Sequence, residues 1–207
     1  MWTFRAMRSS VRVLALLAGV FTSIPAQAQD PVTPAADARP LVRALRMADD
    51  VTLVIDGVLD EAVWSEAAPA TDFLQRDPNN GAPATERTEV RVVFDSDRIV
   101  LGVTCYDSEP HRLLGNQMQR DAPFAGDDRF MWSLDPYLDG RSGYFFEINP
   151  SGAMGDGLIT DVSGGVNKSG DGIWLARVRR SDVGWTAEIE IPFKTLNFNP
   201  ASDAWGA

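Results

Sequence analysis

The sequence predicts an all-β fold: an antiparallel β-sandwich of jelly-roll or immunoglobulin-like two-sheet architecture, with one or two short helices. Three observations carry that expectation. From residue 51 onward, apolar and polar residues alternate with a period of two, as half-buried strands require. Clusters of Gly, Asp and Pro interrupt the alternation at close spacing, which divides the chain into about seven or eight strands. Helical periodicity is almost absent. The chain has 207 residues, 44% of them hydrophobic, and one cysteine. It is long enough to bury one sizeable core, and that core must be held by packing, because a single cysteine forms no intrachain disulfide.

The elements follow in order. "VTLVID" reads as a strand that Asp56-Gly57 turns. "DEAVWSEA" fits one or two helical turns with Asp60 as N-cap, and Leu59, Val63 and Trp64 would then plug one end of the sandwich. "TEVRVVFD" and "RIVLGVTCYD" form a hairpin around Asp95-Ser96-Asp97, with Ile99, Leu101, Val103 and Cys105 on one face. Cys105 is thus expected to be a buried, inert thiol. "RFMWSLDP" and "GYFFEINP" make a second hairpin across "YLDGRSG", and "IWLARVRRSD" and "GWTAEIEIPF" a third across Val183-Gly184. Trp132 and Trp185 lie on the apolar faces of their strands and are expected in the core. Ser151 to Gly172 reads as a long loop with a short strand at 158–161, and "FKTLNF" adds a helical turn.

The ends are different in character. Residues 1–28, "MWTFRAMRSSVRVLALLAGVFTSIPAQA", carry Arg5, Arg8 and Arg12, then an apolar run from Val13 to Ile24 and a small-x-small site at Ala26-Gln27-Ala28. This is the pattern of a secretory signal peptide, and the apolar run is too short for a membrane span. Residues 29–48 are rich in Pro and Ala and read as a linker, leaving 49–207 as the sandwich domain. The expected location is therefore the periplasm, the outer membrane or the exterior. Signal removal takes three of 19 basic residues and none of 29 acids, moving the net charge from −10 to −13. Such acidity argues against a nucleic-acid partner, which needs a basic face.

The residues narrow the chemistry. With one His and one Cys, a zinc site or a Cys-His nucleophile pair has no partners. No G-x-S-x-G elbow, P-loop or dinucleotide fingerprint is present, and no C-x-x-C-H haem attachment site. Aromatic rings flanked by polar side chains suit sugars, whose C–H faces pack on a ring while carboxylates and amides bond the hydroxyls. Phe124, Tyr137 and Trp174 are the candidate platforms. Acidic clusters at Asp127-Asp128 with Asp135, and at Asp156 with Asp161 and Asp171, are candidate ligands for a structural calcium ion, which takes carboxylate and carbonyl oxygens. Glu147, Glu188 and Glu190 are the carboxylates from which a glycosidase pair would be drawn. The last two sit on one strand face, more simply a solvent face.

Four segments in a fixed order, "IDGVLDEAVWSEA", "TEVRVVFDSDRIVLGVTCYDSEP", "DDRFMWSLDPYLDGRSGYFFEINPSGAMGD" and "GWTAEIEIPFKTLNF", resemble the family 9 carbohydrate-binding modules over roughly Val51 to Ala207. They resemble in particular the version near the N-terminus of large exported bacterial proteins that continue into a β-rich outer-membrane region. The resemblance implies a β-sandwich, calcium as a frequent structural ion, and non-catalytic binding of xylan- or cellulose-type glycans for carbohydrate catabolism, often beside a glycoside hydrolase. It places Phe124 at a stacking position, Asn149 at a sugar-bonding amide, and Glu147 where the family carries a basic residue. It also implies that the chain stops short of a further strand after Trp205-Gly206. The alternative function is a periplasmic interaction or plug domain for an outer-membrane β-barrel, without sugar binding.

Overall fold

The computed structural model describes residues 3–5, 40–160 and 165–207. Within them the strands are β1 (Thr3–Arg5), β2 (Leu41–Val42), β3 (Leu45–Arg46), β4 (Thr88–Phe94), β5 (Arg98–Tyr106), β6 (Phe130–Leu134), β7 (Gly143–Ile148), β8 (Met154–Ile159), β9 (Val166–Asn167), β10 (Leu175–Ser181), β11 (Gly184–Pro192) and β12 (Ala204–Gly206), with one α-helix, α1 (Ala62–Glu66), and two single 3-10 turns at Pro110–Arg112 and at Phe193–Thr195, the latter the expected turn in "FKTLNF". A large sheet has the order β10-β11-β5-β4-β3 and a small sheet the order β6-β7-β8-β9. Most of the segment expected to be a signal peptide, much of the expected linker, and Asp161 lie outside the described residues.

The three expected hairpins form, each for a local reason. Asp95 Oδ1 accepts the N–H groups of Asp97 (2.8 Å) and Arg98 (3.0 Å), closing the β4–β5 turn. Asp135 accepts those of Tyr137, Asp139 and Gly140 between β6 and β7. In β10–β11, Ser181 pairs with Gly184, whose φ is 133°. A Cβ there would sit 2.1 Å from the carbonyl oxygen of Cys105, so only glycine fits.

Alternation sends Val90, Val92, Ile99, Leu101, Val103, Trp185, Ala187, Ile189 and Ile191 of the large sheet toward Leu134, Phe146 and Ile148 of the small one. Trp132 stacks between Phe130 and Phe146, each with ring centroids at 5.2 Å, and Trp174 meets it edge-on. Cys105 borders this core, and burial pushes its thiol pKa up to about 12, an unreactive group at neutral pH.

The opposite face of the large sheet is also covered. Met47, Leu53, Val63, Trp64 and Ala67 pack on Val93 and Val100 as a second core. The 53–67 segment is therefore a cap across the outside of a sheet, not a plug at the end of the sandwich. "VTLVID" is not a strand, because it crosses that face instead of joining an edge. Its amides find side-chain acceptors: Asp56 N–H and Gly57 N–H donate to Glu188 Oε2 at 2.7 and 2.9 Å, and Val54 N–H donates to Glu61 Oε1. Glu61, not Asp60, is the N-cap of α1. Glu188, expected on a solvent face, is fully buried beneath the cap and also accepts Trp64 Nε1–H at 3.0 Å.

One edge of the sandwich is joined by a third, short sheet of order β12-β1-β2. Asp135 and Gly206 exchange backbone hydrogen bonds of 2.8 Å, tying β12 to the end of β6. The run through β2 and β3 continues into the large sheet at Leu45↔Val93. Residues 41–47, read as linker, thus contribute two short strands and two core side chains, Val42 and Met47. The long loop after Pro150 is more ordered than its composition suggests, since β8 spans Met154–Ile159 and β9 adds Val166–Asn167.

Candidate functional site

Three of the residues that the sequence puts forward for sugar contact come together behind the outer face of the small sheet. Phe124 is 1% exposed and lies beneath Lys168, whose Nζ is 5.6 Å from its ring centroid. Glu147 is equally buried, with Lys168 Nζ donating to one carboxylate oxygen and Arg129 Nη1 to the other at 2.8 Å. Glu147 faces Gly155 across the β7–β8 ladder, and a side chain at 155 would press on its carboxylate. Asn149 uses its whole amide locally. Nδ2 donates to Gln117 O and to Asp127, and Oδ1 accepts from Ser151 and Ala153 N–H. A ring stacks on sugar only through an open face, and a buried amide with four partners has none to spare. Phe124, Glu147 and Asn149 therefore act as structure in this conformation: a packed ring, a neutralised carboxylate and a loop keystone.

The other two candidates are separated from these. Tyr137, in the β6–β7 turn, is half exposed. Trp174 is buried on the inner side of the small sheet, where it packs edge-on against Trp132 and Phe146 and donates Nε1–H to Asp156 at 3.0 Å. It is a core residue, not a platform. Glu147 lies on the outside of one sheet and Glu188 and Glu190 on the outside of the other. Glu190 pairs with Arg98 and Glu188 with the cap, so these three do not assemble a glycosidase pair.

Of the six acids put forward for calcium, Asp161 lies outside the described residues, and N–H donors occupy Asp127, Asp128, Asp135 and Asp156. Asp127 accepts Asn116, Gln117 and Asn149 donors, Asp128 accepts Leu114 N–H, Asp135 the β6–β7 turn, and Asp156 the groups described next. Among the described residues, no three His, Cys, Asp or Glu side chains converge on a point that could hold a metal. These carboxylates do not fit an oxygen cage for calcium.

What the structure does offer is a cleft of about 300 Å³ lined by Tyr144, Phe146, Asp156, Leu158, Asn197 and Thr195, with Gly157 and the Gly170–Gly172 turn completing its wall. Alternation makes it. Tyr144 and Phe146 in β7 pair with Leu158 and Asp156 in β8, so all four share the inner face of the small sheet. Segments 170–172 and 195–197 supply the remaining walls. Asp156 is the anchor: its carboxylate accepts Gly172 N–H at 2.6 Å, Trp174 Nε1–H and a guanidinium N–H of Arg120, which also donates to Gly172 O at 2.9 Å. Asn197 N–H donates to the Tyr144 hydroxyl at 2.7 Å, and Thr195 Oγ1 donates to Ile173 O. The result is a mostly apolar hollow with an aromatic wall and a few fixed polar groups, at the small end of the roughly 300–1,000 Å³ range of ligand sites. Sequence reading passes over Tyr144, Thr195 and Asn197. The signal for Tyr144 is its place in the same alternating face as Phe146. Nothing local marks Asn197, which arrives from the far end of the chain.

The fold is shared with solved carbohydrate-binding modules. Two solved structures of a family 9 module from Caldicellulosiruptor kristjanssonii share it. The one in complex with cellotriose has a TM-score of 0.51 at 13% identity, covering 72% of this chain and 66% of that one. The one in complex with glucose has 0.50 at 14%, covering 76% and 72%. A protein from Bacteroides uniformis ATCC 8492 described as carbohydrate-binding has 0.54 at 14%, covering 73% and 72%. No protein-family model and no curated protein sequence matches the chain.

Proposed function

We propose that this is an exported, non-catalytic carbohydrate-binding domain, and that the cleft beside Tyr144 and Asp156 receives the sugar. The observation that carries the proposal is the cleft itself: a hollow with room for a single ring and its hydroxyls, aromatic on one side and polar on the other. It lies in a sandwich whose relatives in shape hold glucose and cellotriose. Neutral glycans of the cellulose and xylan type are the first ligands to try. Export is supported by the Arg-bearing start, the apolar run and Ala26-Gln27-Ala28.

The test is a titration of intrinsic tryptophan fluorescence with xylo- and cello-oligosaccharides. Trp174 bonds the same carboxylate that lines the cleft, so an occupied cleft should perturb its emission. Asn197→Ala should weaken binding about tenfold, the loss of one or two hydroxyl contacts, and leave the melting temperature unchanged. Binding that survives this substitution at full strength would place the sugar elsewhere. The same titration with calcium and with a chelator tests a structural ion held by backbone carbonyls, and a melting temperature insensitive to both would dismiss it.

A specific observation keeps the interaction-domain alternative in play. Phe94, Phe193, Phe198 and Trp205 line an apolar groove of about 200 Å³ beside β12. A flat response to every sugar, from folded protein, would favour that alternative.

A further inference from the structure

The cleft has a pronounced charge asymmetry, and this inference rests on its being the sugar site. Its two ionisable acids, Asp156 and Asp171, have no basic residue beside them among the lining side chains. Asp156 is buried at the wall and matched by Arg120. Asp171 is different: its side chain is 80% exposed, and the nearest cation, Arg120 Nε, is 3.4 Å away. That guanidinium is shared with Asp156 and with Asp121 at 3.6 Å, so one positive charge serves three carboxylates. The lysines of the neighbourhood do not compensate. Lys168 donates to Glu147 on the opposite face of the sheet, and Lys194, next to Thr195, does not line the cleft. The rim of the cleft is therefore anionic, in a chain whose net charge is already −10.

We propose that Asp171 makes the cleft selective by charge: it rejects acidic sugars such as uronic acids and favours a protonated amino sugar over its neutral counterpart. A carboxylate at the sugar's C6 position would enter against the Asp171 carboxylate and the deeper Asp156. Unit charges brought close together at the rim repel or attract according to sign. Salt reduces that range over a Debye length of about 8 Å at physiological ionic strength. The C2 ammonium of a glucosamine unit brought to the same rim would instead be attracted and would donate to Asp171.

The experiment compares β-1,4-linked trimers of glucose, glucosamine and glucuronic acid by calorimetric titration of the full chain. It runs at mildly acidic pH, where the amine is protonated and the uronate ionised, in low and high salt, with wild type and Asp171→Asn. Expected is an affinity order of glucosamine, glucose, glucuronic acid, with the acidic trimer at least about tenfold weaker than glucose. Asp171→Asn should narrow the affinity ratios among the three trimers, and high salt should do the same in part. Glucose and glucuronic acid trimers bound equally by wild type, or an unchanged ratio in Asp171→Asn, would overturn the charge filter and leave sugar binding standing. No binding of any trimer would overturn both.

Discussion

At the scale of single residues, Glu188 has the most consequence. One carboxylate on β11 takes two backbone amides of the cap and the indole N–H of Trp64. Glu188→Ala would leave two buried donors, Gly57 N–H and Trp64 Nε1–H, and the part-buried Asp56 N–H without an acceptor. At ~1–3 kcal/mol for each, with some relaxation, it should lower stability by about 3–5 kcal/mol. Urea denaturation reads this directly, and an unshifted midpoint would show that the cap does not depend on the carboxylate. Glu188→Gln, which keeps an oxygen acceptor, should fall between. The same residue sets part of the pH response. Burial raises its pKa above the usual 4.5, against the pull of the Gly57 and Asp56 amides. The folded chain therefore takes up that proton before the unfolded chain does. The cost of burying the charge is present at neutral pH and is relieved as pH falls toward 4.5. Asp127 has the opposite sign. The N–H groups of Gln117 and Asn116 hold its pKa below 3.8, so its stabilisation is present above 3.8 and is lost as pH falls through its folded value. Denaturation midpoints across pH should show Glu188→Gln flattening the first trend and Asp127→Asn reducing the second.

At the scale of elements, the cap sits on a glycine. A Cβ at Gly102 would come within 2.7 Å of both Leu59 Cδ2 and Trp64 Cζ3. Gly102→Val should therefore lift the cap and destabilise by about 1–3 kcal/mol, as overpacked interiors do. The altered Trp64 environment should appear in near-ultraviolet circular dichroism, and a native-like spectrum would mean that the cap slides without loss. On the other sheet, burial decides how Phe124 behaves. As a packed ring under Lys168, its truncation in Phe124→Ala should cost about 3–5 kcal/mol of stability. A variant that melts like wild type and loses only sugar affinity would return Phe124 to the role of platform.

At the scale of the molecule, the sandwich was legible because alternation is a property of neighbours in sequence. Phe130, Trp132 and Leu134, or Trp185, Ala187 and Ile189, announce their face without help from any other segment. The outer layer was not legible for the same reason. Glu188 and Thr186 alternate with apolar residues just as solvent-facing residues do, and a segment some 130 positions earlier buries the first and half-covers the second. The candidate site divides along this line. Asn149 and Glu147 could be picked out, but their partners Gln117, Asp127, Arg129 and Lys168 decide that they are structural. The cleft draws on β7, β8, the Gly170–Gly172 turn and Asn197, segments whose meeting no local pattern encodes.

The bonds from Asp56 and Gly57 to Glu188 join residues 132 and 131 positions apart. Ordering in time follows from that separation. Contacts so distant in the chain close late, because the intervening loop entropy must be overcome first. A chain made from its N-terminus would expose Leu53, Val63 and Trp64 early and hold them without an anchor until β11 had joined β5. The first part of this domain to emerge is then among the last to lock, and its apolar side chains are the ones a chaperone would meet.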